Sequence, residues 1–518
     1  MYSIINSAVV YGIDGLHVEI EVNISKGLPA YQIVGLPDKT IRESKERVRS
    51  ALESIGLRFP AKRITLNLIP AEIPKDGSQL DLPMAIGILS ALGEVENNQL
   101  VNTAFFGEMT LDGRLLPVPG ILSMISAVAK QGIKNVVVPQ GLENEACLVE
   151  GVKCFGAKTL QEVLELLKDK KSDKKYKIHY INTIKEVERM HAKSQAEARV
   201  DYKDVKGQEM AKRALMISAA GFHNILLSGP PGSGKSMMLS AFESILPELT
   251  QSEAVEVRKI QNLKDQCSTK FLSLKRPFRK PHHQITTVAM IGGGVKPQPG
   301  ELTMAHRGVL FLDELPEFRR ETIEALRQPL EDHRVNLSRL HTRVSMPAKV
   351  LLAATMNPCK CGFSNSMDKM CICSDREIRS YLGKLSGPMI DRIDLLVEVQ
   401  RTDMDAVGDH VMSSQTMFER VQRAVQIQMK RFENEDIQFN SEMVGRHIMS
   451  YCPMKDEAMS MLKASVKSFK FSKRVEHKII RIARTIADLD DETNIGVGHI
   501  AEAVQYRLAE NRMRGAHL

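Results

Sequence analysis

A glycine-rich stretch of eight residues constrains this chain more than any other part of its 518 residues. It consists of Gly229, Pro230, Pro231, Gly232, Ser233, Gly234, Lys235 and Ser236. The apolar run Ile225-Leu-Leu precedes it and the amphipathic segment 237–246 follows, so strand, loop and helix stand in the order of a phosphate-binding P-loop. In such a loop, backbone N–H groups wrap phosphates, Lys235 reaches the β- and γ-phosphates, and the Ser236 hydroxyl binds Mg²⁺. The stretch therefore predicts a site for ATP and Mg²⁺.

A pair of acidic residues ends a later apolar run. Residues 309–312 are all apolar, and Asp313 and Glu314 follow them directly. A carboxylate at the end of a strand can complete the shell of a bound metal, and its neighbour can take a proton from an attacking water. The alternative is a buried strand whose Asp-Glu pair caps a helix. Because the pair occurs together with a P-loop, we predict nucleotide hydrolysis with Asp313 on Mg²⁺ and Glu314 as the base.

Apolar patterning divides the chain into regions. Apolar and polar residues alternate over 16–24 and elsewhere in 1–167, which predicts half-buried strands, interspersed with helices, in an α+β domain. Segment 168–200 is rich in charge and predicts a solvated linker, with a DNA contact as the alternative. Residues 201–402 alternate short apolar runs with helices, typical of a parallel sheet covered on both faces, and 403–518 appears wholly helical. We expect a multidomain α/β protein.

Asn357 follows a third apolar run, 350–356, where a side-chain amide can orient the lytic water or simply end a strand. At this point the sequence resembles the magnesium-chelatase-like branch of the AAA+ family, and within it the competence protein ComM (YifB-type) subfamily. The resemblance rests on Arg279-Lys-Pro-His-His283, Pro299-Gly-Glu-Leu302, Gly308-Val-Leu-Phe-Leu-Asp-Glu-Leu-Pro-Glu-Phe318, Asn357-Pro-Cys-Lys-Cys-Gly362, Ser386-Gly-Pro388, Asp391-Arg-Ile-Asp394 and Ala483-Arg-Thr-Ile-Ala-Asp488. It implies a Lon-protease-like first domain, an AAA+ αβα core with a helix-2 insert at 276–300, and a helical lid.

The resemblance also implies roles for single residues. Asn357 stands at the sensor-1 position, Arg392 at that of an arginine finger that completes a neighbouring subunit's site, and Arg474 at sensor 2 near the nucleotide. From the residues alone, Arg392 could instead pair with Asp391 or Asp394 on a surface. A finger that acts on a neighbour requires an oligomer, so the resemblance implies a ring, expected to be a homohexamer.

The predicted helix 472–489 carries its apolar residues on one face at helical spacing. Lys478, Arg481 and Arg484 lie away from that face. We expect them to form a solvated side of the lid.

Segment 333–347 predicts two short alternating strands just before the Asn357 strand. In related helicases the pre-sensor-1 hairpin lies here, faces the pore of the ring and contacts nucleic acid. Arg334, Arg339, His341 and Arg343 would give this hairpin a positive surface suited to DNA phosphates. Without the resemblance, the segment is equally an exposed hairpin with solvated charges.

Four cysteines, Cys359, Cys361, Cys371 and Cys373, have the spacing C-x-C-x9-C-x-C. Four thiolates can close a tetrahedral structural zinc site. Only one residue separates the cysteines of each pair, whereas the usual zinc-binding pair is C-x2-C. Four free thiols in a loop are therefore the alternative.

Three functions fit these features. The first is an ATP-driven motor on DNA, for which the resemblance implies helicase or branch-migration activity in homologous recombination and natural transformation. The second is a protein-remodelling ATPase similar to the magnesium chelatase I subunit. The third is a Lon-like peptidase, although Asp81 and Leu122 stand where that family's Ser-Lys dyad would be. The Lon-like domain and the cysteines favour the first function.

Composition sets the remaining expectations. The net charge of +8 is compatible with a DNA partner. The longest apolar stretch, 82–93, is far shorter than a membrane span, and no lysine or arginine precedes Lys26, where a secretory signal would have a basic flank. We expect a cytoplasmic protein with no membrane partner.

Overall fold

The computed structural model of the chain describes residues 1–149, 151–168, 200–263, 273–294, 297–339, 342–364, 369–401 and 412–513. Two compact units emerge from the contacts within the chain. One is Met1–Ala196 with Gln251–Ser273, and the other is Glu197–Thr250 with Leu274–Leu518. The predicted linker, apart from its two end residues, and the predicted boundary between core and lid at 402/403 lie outside the described residues. The division of the second unit into core and lid stays a prediction.

The first unit is built on a seven-stranded mixed sheet. The expected alternation over 16–24 appears as a strand in which Val18, Ile20, Val22 and Ile24 are buried. The strands, in sheet order, are β3 (Ala30–Val34), β4 (Arg63–Ile69), β2 (Asp14–Ser25), β1 (Tyr2–Tyr11), β5 (Thr103–Phe105), β8 (Asn135–Pro139) and β9 (Lys153–Ala157). A small antiparallel pair, β6 (Glu108–Met109) and β7 (Leu115–Leu116), lies beside it. The helices are Lys39–Ser54, Asp81–Leu92, Ile121–Lys130, Glu143–Ala146 and Leu160–Lys168.

The helix Gln251–Gln261 belongs to this first unit although it follows the first strand and helix of the second unit in sequence. Its Arg258 guanidinium forms an ion pair with Glu145, and the Asn262 amide donates to the same carboxylate at 2.8 Å. Ala254, Val257 and Ile260 are buried. The helix is thus held by both apolar and charged contacts.

The second unit contains the predicted parallel sheet, which confirms the expected fold class. Five strands stand in the order β11 (Phe278–Arg279), β14 (Val309–Leu312), β17 (Leu351–Met356), β10 (Ile225–Ser228) and β18 (Leu395–Glu398). All of their pairings are parallel. Because the carboxyl ends of parallel strands meet at one edge, the segments that follow β10, β14 and β17 come together there.

Helices complete the second unit. Those that alternate with the sheet strands are Glu209–Gly221, Lys235–Ala241, Thr287–Ile291, Glu301–Met304, Arg320–Ala325, Arg327–Asp332, Asp375–Leu382 and Gly387–Ile390. The C-terminal part is wholly helical where described, with Ser414–Arg431, Gly445–Tyr451, Asp456–Ser468, Lys473–Leu489 and Val497–Met513. Two antiparallel pairs, β12 (Gly292–Gly293) with β13 (Gln298–Pro299) and β15 (Arg334–Arg339) with β16 (Thr342–Pro347), interrupt the alternation. Among the described helices, none has the length and apolarity of a membrane span.

The expectation of a solvated basic side on the helix Lys473–Leu489 is wrong. The Lys478 and Arg484 side chains are 7% and 1% exposed. Lys478 Nζ lies 2.9 Å from Asp394 Oδ1 and donates to two backbone carbonyls, and Arg484 pairs with Asp488 and donates to two others. These contacts offset the cost of burying the two charges, so the helix packs on more than its apolar face.

Candidate nucleotide-binding site

The predicted P-loop lies between β10 and the helix Lys235–Ala241, at the carboxyl edge of the sheet. Glycine is required at two positions. A Cβ at Gly229 would lie 2.0 Å from the Val399 carbonyl oxygen, and Gly234, which caps the helix, has φ +83° in the left-handed region. The loop therefore packs tightly against the end of β18 and turns sharply into the helix.

The Lys235 side chain points into the loop. Its Nζ donates to the carbonyl oxygens of Gly229 at 2.7 Å and Pro230 at 2.8 Å, and the residue is 7% exposed. Burial lowers the pKa of Lys235 to about 8, although the charges of Asp313 and Glu314 act in the opposite direction. The ammonium is therefore held by loop carbonyls at a position where phosphate oxygens could replace these acceptors.

Asp313 is the centre of a hydrogen-bonded cluster. The hydroxyls of Ser236 and Thr355 donate to its Oδ1 at 2.8 and 2.7 Å, and Lys280 Nζ lies 3.1 Å from Oδ2. Burial acts to raise the pKa of Asp313, but these hydrogen bonds and the Lys280 charge outweigh it and lower the pKa below its ordinary value. An ionised carboxylate beside a serine hydroxyl is a hard oxygen donor set that fits Mg²⁺.

Glu314 adopts a left-handed backbone conformation, with φ +55°. Its backbone N–H donates to the Thr355 hydroxyl at 2.9 Å, and its side chain is exposed beside the cluster. Strained backbone of this kind is concentrated at functional sites, where surrounding contacts hold it. The Thr355 hydroxyl thus fixes both acidic residues of the pair.

Asn357 directly follows β17, the strand between β14 and β10. Leu312 pairs with Ala354, and Ser228 pairs with Met356. Asn357 is therefore flanked on one side by the strand that carries Asp313 and on the other by the strand that leads into the P-loop. Its side chain is half-buried.

Arg392 and Arg474 share one carboxylate. Glu331 forms an ion pair with Arg392 Nη2 through one oxygen and with Arg474 Nη2 through the other, the latter at 2.8 Å. Glu331 is thus an ion-pair partner of Arg392, and the Asp394 carboxylate pairs with Lys478. Arg392 also donates to the Pro388 carbonyl, and both arginines line a cavity of about 170 Å³. The structure thus groups Arg474, expected near the nucleotide, with Arg392.

The predicted hairpin is present as β15 and β16, which pair in register from Arg334 with Pro347 to Arg339 with Thr342. The Arg334 side chain is exposed. His341 and the side chains of Arg339 and Arg343 lie outside the described residues. β16 leads into β17 through three residues, so the hairpin is directly connected to the strand that ends at Asn357.

The four predicted metal-ligating cysteines come together in space. Their Sγ atoms all lie within 4.8 Å of one another. The distances from Cys359 to Cys361, Cys359 to Cys371 and Cys361 to Cys371 are 3.3, 3.7 and 3.5 Å. A tetrahedral zinc ion with Zn–S bonds of about 2.3 Å separates its sulfurs by about 3.8 Å. The arrangement of Cys359, Cys361, Cys371 and Cys373 therefore fits a zinc tetrathiolate.

The positions that align with the Lon dyad hold other groups. Asp81 is buried, accepts two hydrogen bonds from Arg47 at 2.6 and 3.0 Å, and accepts another from the backbone of Met109. Leu122 is buried in the helix Ile121–Lys130. Neither a nucleophilic hydroxyl nor a lysine amine stands at these two positions.

Sequence reasoning missed two residues of the site, Thr355 and Lys280. Lys280 lies within the motif Arg279–His283, which assigns it no role, and its ammonium also lies 4.6 Å from the centre of the Phe311 ring. Thr355 is an unremarkable residue in an apolar strand, and only strand register shows that it faces Asp313. A search for polar residues inside predicted core strands could have found it.

Three family models match the chain. The model described as magnesium chelatase, subunit ChlI, matches residues 201–407. A second model, described as subunit ChlI of Mg-chelatase, matches residues 20–142, and a third, for the C-terminal part of magnesium chelatase subunit ChlI, matches residues 411–507.

Similar proteins match nearly the whole of this chain. The protein YifB of Escherichia coli K12 is 39% identical over 508 residues, which cover 98% of this chain and 97% of YifB. Competence protein ComM of Haemophilus influenzae is 39% identical over 509 residues, with the same coverage. Lon protease 2 of Bacillus subtilis is 31% identical over 182 residues, 31% of this chain and 32% of the protease. With these matches and the P-loop site, the chain belongs to the magnesium-chelatase-like AAA+ ATPases of the ComM/YifB family.

Proposed function

We propose that the protein is a ring-forming motor that hydrolyses ATP to act on DNA, as a helicase or branch-migration enzyme in homologous recombination and natural transformation. The observation that carries the proposal is the direct connection of the hairpin to the strand that ends at Asn357 in the nucleotide site. The likeness to competence protein ComM over 98% of the chain supports the DNA-related role.

In the proposed hydrolysis, each group at the sheet edge has one task. Lys235 neutralises the β- and γ-phosphates, and Ser236 and Asp313 hold Mg²⁺, which supplies charge neutralisation when bound. Glu314 accepts the proton of the attacking water, and Asn357 orients that water. The contacts of Asp313 with Ser236 and Thr355 support this assignment, because they hold the carboxylate beside the P-loop serine.

A ring is proposed because Arg392 and Arg474 meet at Glu331. Two guanidinium groups against one carboxylate leave an excess positive charge. A phosphate of ATP bound to the adjacent subunit is the counterpart that this charge would stabilise, as an arginine finger does. We expect a homohexamer, with a core at 201–402 and a lid at 403–518.

DNA contact is assigned to the hairpin residues Arg334, Arg339, His341 and Arg343. Replacing Arg339 and His341 together by alanine should leave basal ATP hydrolysis close to normal and strongly reduce DNA stimulation and strand displacement. Each lost phosphate contact should lower the log–log salt slope of DNA binding by roughly 0.7 to 0.9. Alanine at Lys463 and Lys467, exposed on another helix, is the control and should change none of these. A hairpin variant that translocates like the parent would refute the assignment.

A protein-remodelling ATPase is the second candidate, because all three family models describe a magnesium chelatase subunit. ATP hydrolysis measured without DNA and with single-stranded, duplex and four-way-junction DNA separates the two. Stimulation by one of these DNAs is expected for the motor. A rate that none of them changes would favour the remodelling ATPase.

Asp81 and Leu122 at the dyad positions favour a binding or scaffold role for the first unit over proteolysis.

We also propose that the four cysteines bind one structural Zn²⁺. Cys359 is buried, and its three partners are partly exposed. The four sulfurs fill a tetrahedral shell, which leaves no open position for a catalytic water.

A further inference from the structure

We propose that the cysteine site braces the P-loop, so that metal binding at the four thiolates and nucleotide binding at the P-loop favour each other. The proposal rests on the zinc site proposed above. It adds a regulatory consequence: loss or oxidation of the thiolate site would weaken nucleotide binding without touching any nucleotide-binding residue.

The first observation is a direct packing contact between the cysteine loop and the P-loop. Gly362 follows Cys361 and lies in the left-handed region with φ +88°. A Cβ at Gly362 would lie 2.5 Å from Pro231 Cδ and 2.6 Å from Pro231 Cγ. The backbone next to a thiolate ligand therefore lies against the second proline of the P-loop.

A second connection runs through an aromatic ring. The Arg401 guanidinium lies 5.9 Å from the centre of the Phe363 ring, and Lys369 stacks on the same ring at 5.5 Å. Arg401 donates to the Pro231 carbonyl from Nη2 at 2.8 Å and from Nε at 3.2 Å. Phe363, two residues after Cys361, thus helps to place the guanidinium that holds the P-loop backbone.

In the described part of the cysteine loop, the apolar side chains on either side of Cys371 are not buried. Met370 and Ile372, which flank Cys371, are 93% and 88% exposed. Of the four cysteines, Cys359 alone is buried. Ligation of all four thiolates would therefore supply the free energy that orders this segment, as structural zinc does in small metal-bound modules.

The loop is also joined to the sensor-1 position. Cys359 lies two residues after Asn357, and the segment with Cys371 and Cys373 leads directly into the helix Asp375–Leu382. Tyr381 on that helix interacts with the backbone of Asn357. Closing the loop at the cysteines would fix both the P-loop proline and the backbone of Asn357.

Coupling between two sites is reciprocal, so each ligand changes the affinity for the other by the same factor. Typical couplings are about 5- to 150-fold. We expect the metal-loaded protein to bind a fluorescent ATP analogue at least about 5-fold more tightly than the metal-free protein. Nucleotide should raise the affinity for Zn²⁺, measured against a competing chelator, by the same factor.

The test uses the full chain, with metal content measured by mass spectrometry. Cys371→Ser with Cys373→Ser, which leaves Gly362 and Phe363 unchanged, should lose Zn²⁺ and show the weak nucleotide affinity of metal-free protein. Cys147→Ser in the first unit is the matched control and should lose neither. Phe363→Leu should retain Zn²⁺, yet metal removal should change its nucleotide affinity by a smaller factor than in the parent, because the ring that helps to place Arg401 is gone while the Gly362–Pro231 contact stays.

Two results would refute the proposed coupling between metal binding and nucleotide binding. If the protein binds one Zn²⁺ per chain but metal removal leaves nucleotide affinity unchanged, the zinc site stands and the coupling is refuted. If no Zn²⁺ binds to protein that still hydrolyses ATP, both the zinc site and the coupling are refuted, and the ATPase assignment is unaffected. If the metal-free protein unfolds, detected by circular dichroism, zinc-loaded Phe363→Leu is compared with the zinc-loaded parent, and equal nucleotide affinity refutes the proposal.

Discussion

Thr355→Val tests whether one hydroxyl organises the acidic pair. Thr355 is 1% exposed, donates to Asp313 Oδ1 at 2.7 Å and accepts from the Glu314 backbone N–H at 2.9 Å. Valine has nearly the same shape, so the substitution removes both hydrogen bonds without opening a cavity.

The expected cost follows from these two contacts. A hydrogen bond to a charged group contributes about 1.5–3 kcal/mol, and leaving an N–H unpaired costs about 1–3 kcal/mol when it is buried, whereas the Glu314 N–H is only partly buried. Asp313 keeps Ser236 and Lys280 as partners. Loss of both hydrogen bonds should therefore lower the free energy of unfolding by about 3 kcal/mol, near the lower end of the summed ranges. The pKa of Asp313 should rise towards its ordinary value, because one of the hydrogen bonds that lower it is lost.

Urea unfolding followed by circular dichroism measures the stability, and ATP hydrolysis as a function of Mg²⁺ concentration measures the site. Hydrolysis by Thr355→Val should need more Mg²⁺ and reach a lower maximum rate. Thr355→Ser is the control, because it keeps the hydroxyl and should cost only about 1 kcal/mol for the lost methyl group. If valine costs no more than serine and the Mg²⁺ dependence is unchanged, Thr355 does not organise the pair.

Three further predictions concern the second unit. Glu314→Gln should still bind an ATP analogue, but its hydrolysis should fall by at least about 100-fold, because the proton acceptor is lost; parental turnover would contradict this role. Arg392→Ala should abolish hydrolysis alone yet recover part of it when mixed with inactive Lys235→Ala subunits, whereas an inactive mixture would contradict a finger that acts on a neighbour. Burial lowers the pKa of His223 to about 4, so the unfolded state binds more protons between about pH 6.5 and 4 and stability falls as the pH drops through that window. Urea unfolding should show that this group lowers the free energy of unfolding by at most about 3 kcal/mol between pH 7 and 4.5. His223→Gln should abolish this decrease, and a variant with the pH dependence of the parent would contradict the role of His223.

The nucleotide site could be predicted from sequence because parallel strands impose its geometry. Once 225–228, 309–312 and 351–356 are neighbouring parallel strands, the residues that follow them must meet at one edge, whatever the rest of the chain does. The P-loop, Asp313 and Asn357 are brought together in this way. Local sequence patterns were sufficient, since each motif carries its own strand.

Contacts that depend on register or on distant segments could not be predicted. Thr355 reaches Asp313 only because β17 pairs with β14 in one particular register. Arg474 meets Glu331 across 143 residues of sequence, a distance over which no local pattern operates. Lys478 and Arg484 were misplaced because helical periodicity separates apolar from charged residues but does not show which charges find buried partners.

The helix Gln251–Gln261 has a consequence for how the chain can be made and divided. It completes the first unit, but ribosomes synthesise it only after β10 and the P-loop of the second unit. The first unit therefore cannot reach its final set of contacts before part of the second has emerged. For the same reason, a fragment that starts at residue 201 would carry Arg258 and Asn262 without their partner Glu145. The two units are therefore interleaved in the order of synthesis.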